Sequence, residues 1–107
     1  MQQIEPVELA AWLADPKRTH PLLLDVREYW EYERCHIPDS KLVPMAEVGQ
    51  RCNEFDPAID VVVICHHGVR SFRIAKFLEY NGFPRVYNLT GGVERWARDV
   101  DHTMPRY

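Results

Sequence analysis

Two short stretches are apolar at consecutive positions rather than at every second one: "LLLDV" at 22–26 and "VVVI" at 61–64. A strand with one wet face alternates apolar and polar residues, because successive side chains point to opposite sides. A strand that is apolar throughout needs cover on both faces, which is the condition of a strand inside a parallel sheet flanked by helices. Strands of this kind alternating with helical segments imply a small α/β domain with a mostly parallel sheet covered on both faces.

The intervening segments fit that class. Leu9, Trp12 and Leu13 fall at helical spacing, with Pro6 near the start, where proline suits a first turn. "DPKRTHP" (15–21) reads as a loop, and "REYWEYERC" (27–35) as a short helix closed by "HIPDS", where Pro38 stops it. "KLVP" (41–44) is a short strand and "MAEVGQRCNEF" (45–55) weakly helical. Ser71 to Tyr80 is the clearest helix, with Ile74, Ala75, Phe77 and Leu78 on one face and Arg73, Lys76 and Glu79 on the other. "NG" at 81–82 ends it, "RVYNL" (85–89) is a further strand, and "GGVERWARDV" (91–100) a last helix. Trp12, Trp30 and Trp96 read as packing residues, and "REYWEYER" as a solvated helix face. In parallel sheets, sites form at the carboxyl ends of strands, where Asp25 and Cys65 both fall.

The chain has 107 residues, 46% of them hydrophobic, enough for one domain with a real core. A formal charge of -3 argues against a general nucleic-acid binder. The apolar runs are far too short to span a bilayer, and the N-terminus lacks the basic-then-apolar order of a secretory signal. Neither nucleic acid nor membrane is an expected partner, and the expected compartment is the cytoplasm. The three cysteines, Cys35, Cys52 and Cys65, form no C-x-x-C pair, so structural zinc and thioredoxin-type chemistry are not indicated. In a reducing compartment all three are thiols.

Cys65 ends the apolar strand and is followed by His66, His67, Gly68, Val69, Arg70 and Ser71, none of them proline. If these six residues curl, several backbone N–H groups converge on one point, and Gly68 supplies the backbone freedom for the curl. The helix beginning at about Val69–Ser71 aims its N-terminus at the same place. The result is an anion-binding nest in which a thiolate is stabilised against the thiol. Arg70 adds a permanent charge, and His66 and His67 conditional ones. A metal held by three consecutive residues, Cys65 to His67, is not expected, because they rarely point at one ion.

At this point the sequence resembles a known family. "LLLDVREYWEYERCHIP", "VVVICHHGVRS", "FLEYNGF" and "VYNLTGGVERW" occur in the order and at the separations of a single rhodanese domain, the sulfurtransferase module. The resemblance implies a mostly parallel five-stranded sheet with helices on both faces, one domain over residues 1–107, and no cofactor or metal. The ending "WARDVDHTMPRY" resembles small stand-alone members, which makes a complete protein the expectation. It also implies that Cys65 accepts sulfur and that His66 to Ser71 form the substrate-binding loop. Asp25 and Arg27 match a "D-x-R" that supports the loop from below, His36 matches the "H-I-P" signature, and Gly91 and Gly92 match a double glycine packed closely on the sheet. Cys35 and Asp39 stand where the family often has glycine, which predicts altered backbone geometry on a peripheral turn.

The implied reaction passes sulfane sulfur from a donor such as thiosulfate, through a Cys65 persulfide, to cyanide or a thiol, a protein thiol included. One alternative is a non-catalytic sulfur-carrier or regulatory module; against it stand the retained cysteine, glycine and arginine. Another is a phosphatase or arsenate reductase. Phosphatases related to the fold use a Cys-x5-Arg loop, whereas Cys65 to Arg70 is Cys-x4-Arg, a smaller ring better suited to sulfur. Glu28 or Glu31 is the expected partner of Arg70, Cys35 a candidate second thiol, and "HTMPRY" an extended tail that packs over the domain or frays.

Overall fold

The computed structural model describes residues 1–107. The elements in order are β1 (Gln2–Ile4), α1 (Pro6–Ala14), β2 (Leu22–Asp25), α2 (Tyr29–Arg34), β3 (Lys41–Leu42), α3 (Val48–Arg51), β4 (Val61–Ile64), α4 (Val69–Tyr80), β5 (Val86–Leu89) and α5 (Gly92–Asp99). Single 3-10 turns, Met45–Glu47 and Cys52–Glu54, flank α3, so the weakly helical 45–55 segment is a broken run of turns. The five strands form one sheet in the order β1-β5-β4-β2-β3, and every pairing is parallel. No helix is long and apolar enough to cross a membrane.

The unbroken apolar runs do what their composition requires. All four residues of β4 are buried, and the register pairs Leu22 with Val61 and Asp25 with Ile64. Alternation splits β4 between two cores. Val62 and Ile64 join Leu9, Trp12, Val93, Trp96 and Ala97 under α1 and α5. Val61, Val63 and Cys65 join Val48, Ile74, Ala75 and Leu78 under α3 and α4. Each such aliphatic side chain contributes about 1.5–3 kcal/mol when fully buried, so the two-sided β4 is the best-anchored strand. Because all strands run the same way, the ends of β2, β4 and β5 reach one edge of the sheet together, which gathers Asp25, Cys65 and Thr90.

Four details depart from the sequence expectations. Strand β1 was not foreseen: "QQI" carries no apolar run, and only Ile4 of the three is buried. Phe77 is 38% exposed and Trp30 is 58% exposed, so neither belongs to the core, whereas Trp12 and Trp96 do. Asp39 adopts φ 67°, the left-handed conformation that glycine favours, so the turn keeps that geometry without glycine. Cys35 instead sits in extended backbone, φ −169°, which any residue adopts.

Candidate active site

The carboxyl end of β4 is enclosed by three helices. Cys65 is 1% exposed, and its Sγ receives the backbone N–H of Gly68 at 3.0 Å. Gly68 caps α4 with φ 95°, a conformation that returns the chain towards the sulfur and that a side chain disfavours. The convergence is narrower than the several N–H groups expected, because only that of Gly68 reaches Sγ. Those of Val69, Arg70 and Ser71 lie in the first turn of α4, where no intrahelical acceptor exists.

The opposite side of the loop is held by α5. Val93 N–H donates to the Cys65 carbonyl at 2.9 Å and Glu94 N–H to the His66 carbonyl at 3.1 Å. These bonds turn the carbonyls outward to the helix. Gly92 permits the approach: a Cβ there would lie 2.3 Å from the Cys65 oxygen, and φ is already +59°. Of the two glycines, Gly92 is the one that packs against the loop; a Cβ on Gly91 would meet the Arg95 side chain.

Ser71 is fully buried beside the sulfur, its Oγ accepting from Cys65 Sγ at 3.2 Å and donating to Asn88 Oδ1. The Asn88 amide is oriented by its other end, which donates to Gln3 Oε1 at 3.0 Å and Gly68 O at 3.1 Å. Neither Asn88 nor Gln3 was singled out from the sequence; both are brought in by strand pairing, Gln3 opposite Asn88 in the β1–β5 register.

Arg70 resolves the choice of carboxylate. Its Nη1 and Nη2 donate to Glu31 Oε1 and Oε2 at 2.7 and 2.8 Å. Glu31 is 4% exposed, so this face of α2 is not solvated. Burial pushes the Glu31 carboxyl up, but hydrogen bonds from Arg70, the Glu28 backbone and Tyr107 outweigh it and bring it down to about 2. Glu28 is the N-cap residue and exchanges bonds with Glu31 in a capping box.

Asp25 and Arg27 form a fully buried ion pair, Arg27 Nη2 to Asp25 Oδ2 at 2.7 Å and Nε to Oδ1 at 2.9 Å. Arg27 also donates to the Cys35 carbonyl at 2.7 Å. The pair meets the loop indirectly, through Tyr107 and Glu31. His36 stands apart: it is exposed, stacks on Tyr32 at 3.9 Å and bonds the Tyr32 carbonyl, while Ile37 takes the inward position. Cys35 packs in the core under α1 and α5, on the other sheet face from Cys65, and Cys52 is partly exposed near Gly49.

The two loop histidines differ. His67 is exposed, and His66 is sandwiched between His67 and Tyr107 with ring centroids 3.9 Å apart on each side. Burial and the neighbouring His67 lower the His66 pKa, and Glu94, 3.5 Å from Nε2, only partly offsets this. A groove of about 570 Å³ opens beside the loop, lined by His67, Gly68, Val69, Phe72 and Arg73 among others. Cys65 does not line it.

Comparison with known proteins agrees with the geometry. The rhodanese-like domain family matches residues 5–99. A sulfurtransferase of Allochromatium vinosum is 35% identical over 105 residues, covering 98% of this chain and 94% of its own. The thiosulfate sulfurtransferase GlpE of Coxiella burnetii is 36% identical over 88 residues, 82% of this chain and 81% of that protein. Other relatives are longer, and the chain spans 40% and 38% of two of them. A rhodanese-like domain protein from Staphylococcus aureus superposes with a TM-score of 0.84 at 29% identity, over 100% of this chain and 99% of that one. The chain belongs to the rhodanese-like domain family.

Proposed function

We propose that the protein transfers sulfane sulfur through a persulfide on Cys65, with thiosulfate as a competent donor and a thiol or cyanide as acceptor. One observation carries the reading: Cys65 Sγ sits at the N-terminus of α4 with the Gly68 N–H aimed at it from 3.0 Å. That arrangement aims a hydrogen-bond donor and a helix N-terminus at the atom that exchanges sulfur.

In the first step the Cys65 thiolate attacks the outer sulfur of thiosulfate. The sulfur–sulfur bond of the donor breaks, and sulfite leaves with its electron pair. In the new persulfide the charge moves to the outer sulfur, for which the N–H groups of Val69, Arg70 and Ser71 in the first turn of α4 are the donors without an intrahelical acceptor. In the second step an acceptor thiolate, or cyanide, attacks the terminal sulfur and the Cys65 thiolate departs. No net oxidation is needed, and the enzyme returns to its starting state. Arg70, fixed at the loop by Glu31, supplies positive potential for an incoming anion. The groove past His67 and Val69 offers room for the body of an acceptor.

The decisive experiment is intact-mass spectrometry before and after thiosulfate. The wild type gains one sulfur, about 32 Da, as covalent transfer requires, and loses it to reductant. Cys65→Ser gains none. A serine variant that still consumed thiosulfate would overturn the assignment.

A further inference from the structure

The tail segment after α5 crosses the open side of the loop. Met104 is buried in the core under α1 and α5, and Arg106 pairs with Glu94. Tyr107 then enters the site. Its ring stacks on His66 at 3.9 Å and meets Trp30 edge-on at 5.7 Å. Its hydroxyl accepts from Arg27 Nη1 at 2.7 Å and donates to Glu31 Oε2 at 2.8 Å.

Arg70 has a third of its side chain exposed, and its hydrogen-bond partner is Glu31. Glu31 Oε1 also accepts the Glu28 backbone N–H at 3.0 Å, which leaves the Oε2 side of the carboxylate to be fixed. Here the far end of the pair is tied down. The Tyr107 hydroxyl joins Glu31 to Arg27, and Arg27 is fully buried and bound to Asp25 and to the Cys35 carbonyl. The phenol keeps its proton for this purpose, because burial, with Glu31 adding to it, pushes Tyr107 up to about 12. Without the hydroxyl, Arg27 Nη1 retains only the Glu31 carbonyl at 3.4 Å and a distant Cys35 sulfur at 4.0 Å.

We propose that Tyr107 is a positioning residue for Arg70, holding its charge at the Cys65 loop by linking Glu31 to the buried Asp25–Arg27 pair. The role deepens the sulfur-transfer reading and rests on it for its purpose, but it can be tested without any sulfur donor. Cys65 is alkylated with iodoacetate, an anion, and with iodoacetamide, its neutral analogue, and the two rates are read by mass spectrometry. Their ratio reports the positive potential at the sulfur.

Tyr107→Phe keeps the ring and removes the hydroxyl. Its iodoacetate-to-iodoacetamide ratio falls about threefold while the iodoacetamide rate stays within about twofold, as loss of a local charge requires. Thiosulfate KM rises about threefold with kcat nearly unchanged, the mark of lost anion binding rather than lost chemistry. On a Glu31→Gln background Tyr107→Phe changes the ratio less than it does in the wild type, because the hydroxyl acts through that carboxylate. An unchanged ratio, or a parallel fall of both alkylation rates, overturns the proposal. A wild type that fails to take sulfur while the ratio still falls rejects the sulfur-transfer reading and leaves Tyr107 standing. A wild type that transfers sulfur with an unchanged ratio rejects Tyr107 alone.

Discussion

The backbone N–H of Val93 donates to the carbonyl oxygen of Cys65 at 2.9 Å, so the first turn of one helix holds the peptide on which the Cys65 thiol is mounted. The next N–H, of Glu94, holds the next carbonyl, of His66, at 3.1 Å. With both carbonyls engaged from outside, the Cys65–Gly68 segment bends so that the Gly68 N–H reaches the sulfur. The site is therefore clamped between two helix N-termini, α4 on the sulfur side and α5 on the carbonyl side.

Gly92 sets the width of that clamp. Gly92→Ala places a Cβ 2.3 Å from the Cys65 oxygen and 2.4 Å from the His66 oxygen, both backbone atoms that cannot move without the loop. The expected cost is about 2–4 kcal/mol in urea unfolding, combining steric displacement with a left-handed φ. Gly82→Ala is the matched control: its φ is +91°, but nothing lies within 4 Å of the added Cβ. It loses only about 1 kcal/mol of backbone strain and leaves Cys65 alkylation unchanged. Equal losses at the two positions would show that contact with the loop is not what matters.

Glu31 makes folding sensitive to acid. Its carboxyl lies at about 2 in the fold against an ordinary 4.5, because donors from Arg70, Glu28 and Tyr107 overcome the burial that opposes ionisation. A carboxyl depressed by folding stabilises fully above its unfolded value and loses that contribution as pH falls through its folded value. The window is thus pH 4.5 down to about 2. After allowance for the partly exposed Arg70, the contribution is on the order of 2 kcal/mol. Urea midpoints of wild type and Glu31→Gln are expected to differ most near neutrality and to approach each other below pH 3. A constant difference down to pH 2 would contradict the pairing.

His66 behaves unlike the conditional cation suggested by its place in the sequence. Burial and His67 depress it, so it gains a proton only in more acid solution than an ordinary histidine. Any gain in donor affinity from a protonated His66 is then expected on the acid side of the ordinary histidine range. Stability runs the other way: a depressed histidine supports folding above 6.5 and withdraws support as pH falls from there towards its folded value. Ring-proton chemical shifts give the midpoint directly, and a His66 midpoint above 6.5 would refute the burial argument.

How much of this was legible depended on the range of each interaction. The two-sided strands were plain, because the unbroken runs at 22–24 and 61–64 state their burial locally. The Cys65 loop was equally plain, since its thiol, glycine and arginine lie within six residues. Strand β1 was not, because "QQI" is held by its pairing to β5 rather than by an apolar pattern. The choice between Glu28 and Glu31 required the phase of α2, which puts the first at the cap and the second inward. Asn88, Gln3 and Tyr107 carry no local mark at all; they reach the site across sequence separations of 17, 85 and 80 residues. His36 shows the converse, a signature residue whose side chain serves its own turn.

Asn88 offers the sharpest test of the polar chain behind the sulfur. Its Oδ1 takes the Ser71 hydroxyl proton, so Ser71 faces Cys65 with a lone pair when the sulfur is a thiol. When the sulfur becomes an anion, that hydroxyl must turn to donate to it and release Asn88. A neutral amide permits the exchange at the cost of one hydrogen bond, about 1 kcal/mol. Asn88→Asp replaces the amide by a carboxylate of the same shape. The carboxylate holds the serine proton more firmly, and it sets a second negative charge near the sulfur within a buried network. It also loses the donor to Gln3 and Gly68. Iodoacetamide alkylation of Cys65 at pH 7 is expected to slow at least about tenfold, since the thiolate is the species that reacts. Asn88→Ser, which removes the amide without adding charge, should slow it far less. Equal rates for the aspartate variant and the wild type would show that the Ser71–Asn88 chain does not act on the thiol.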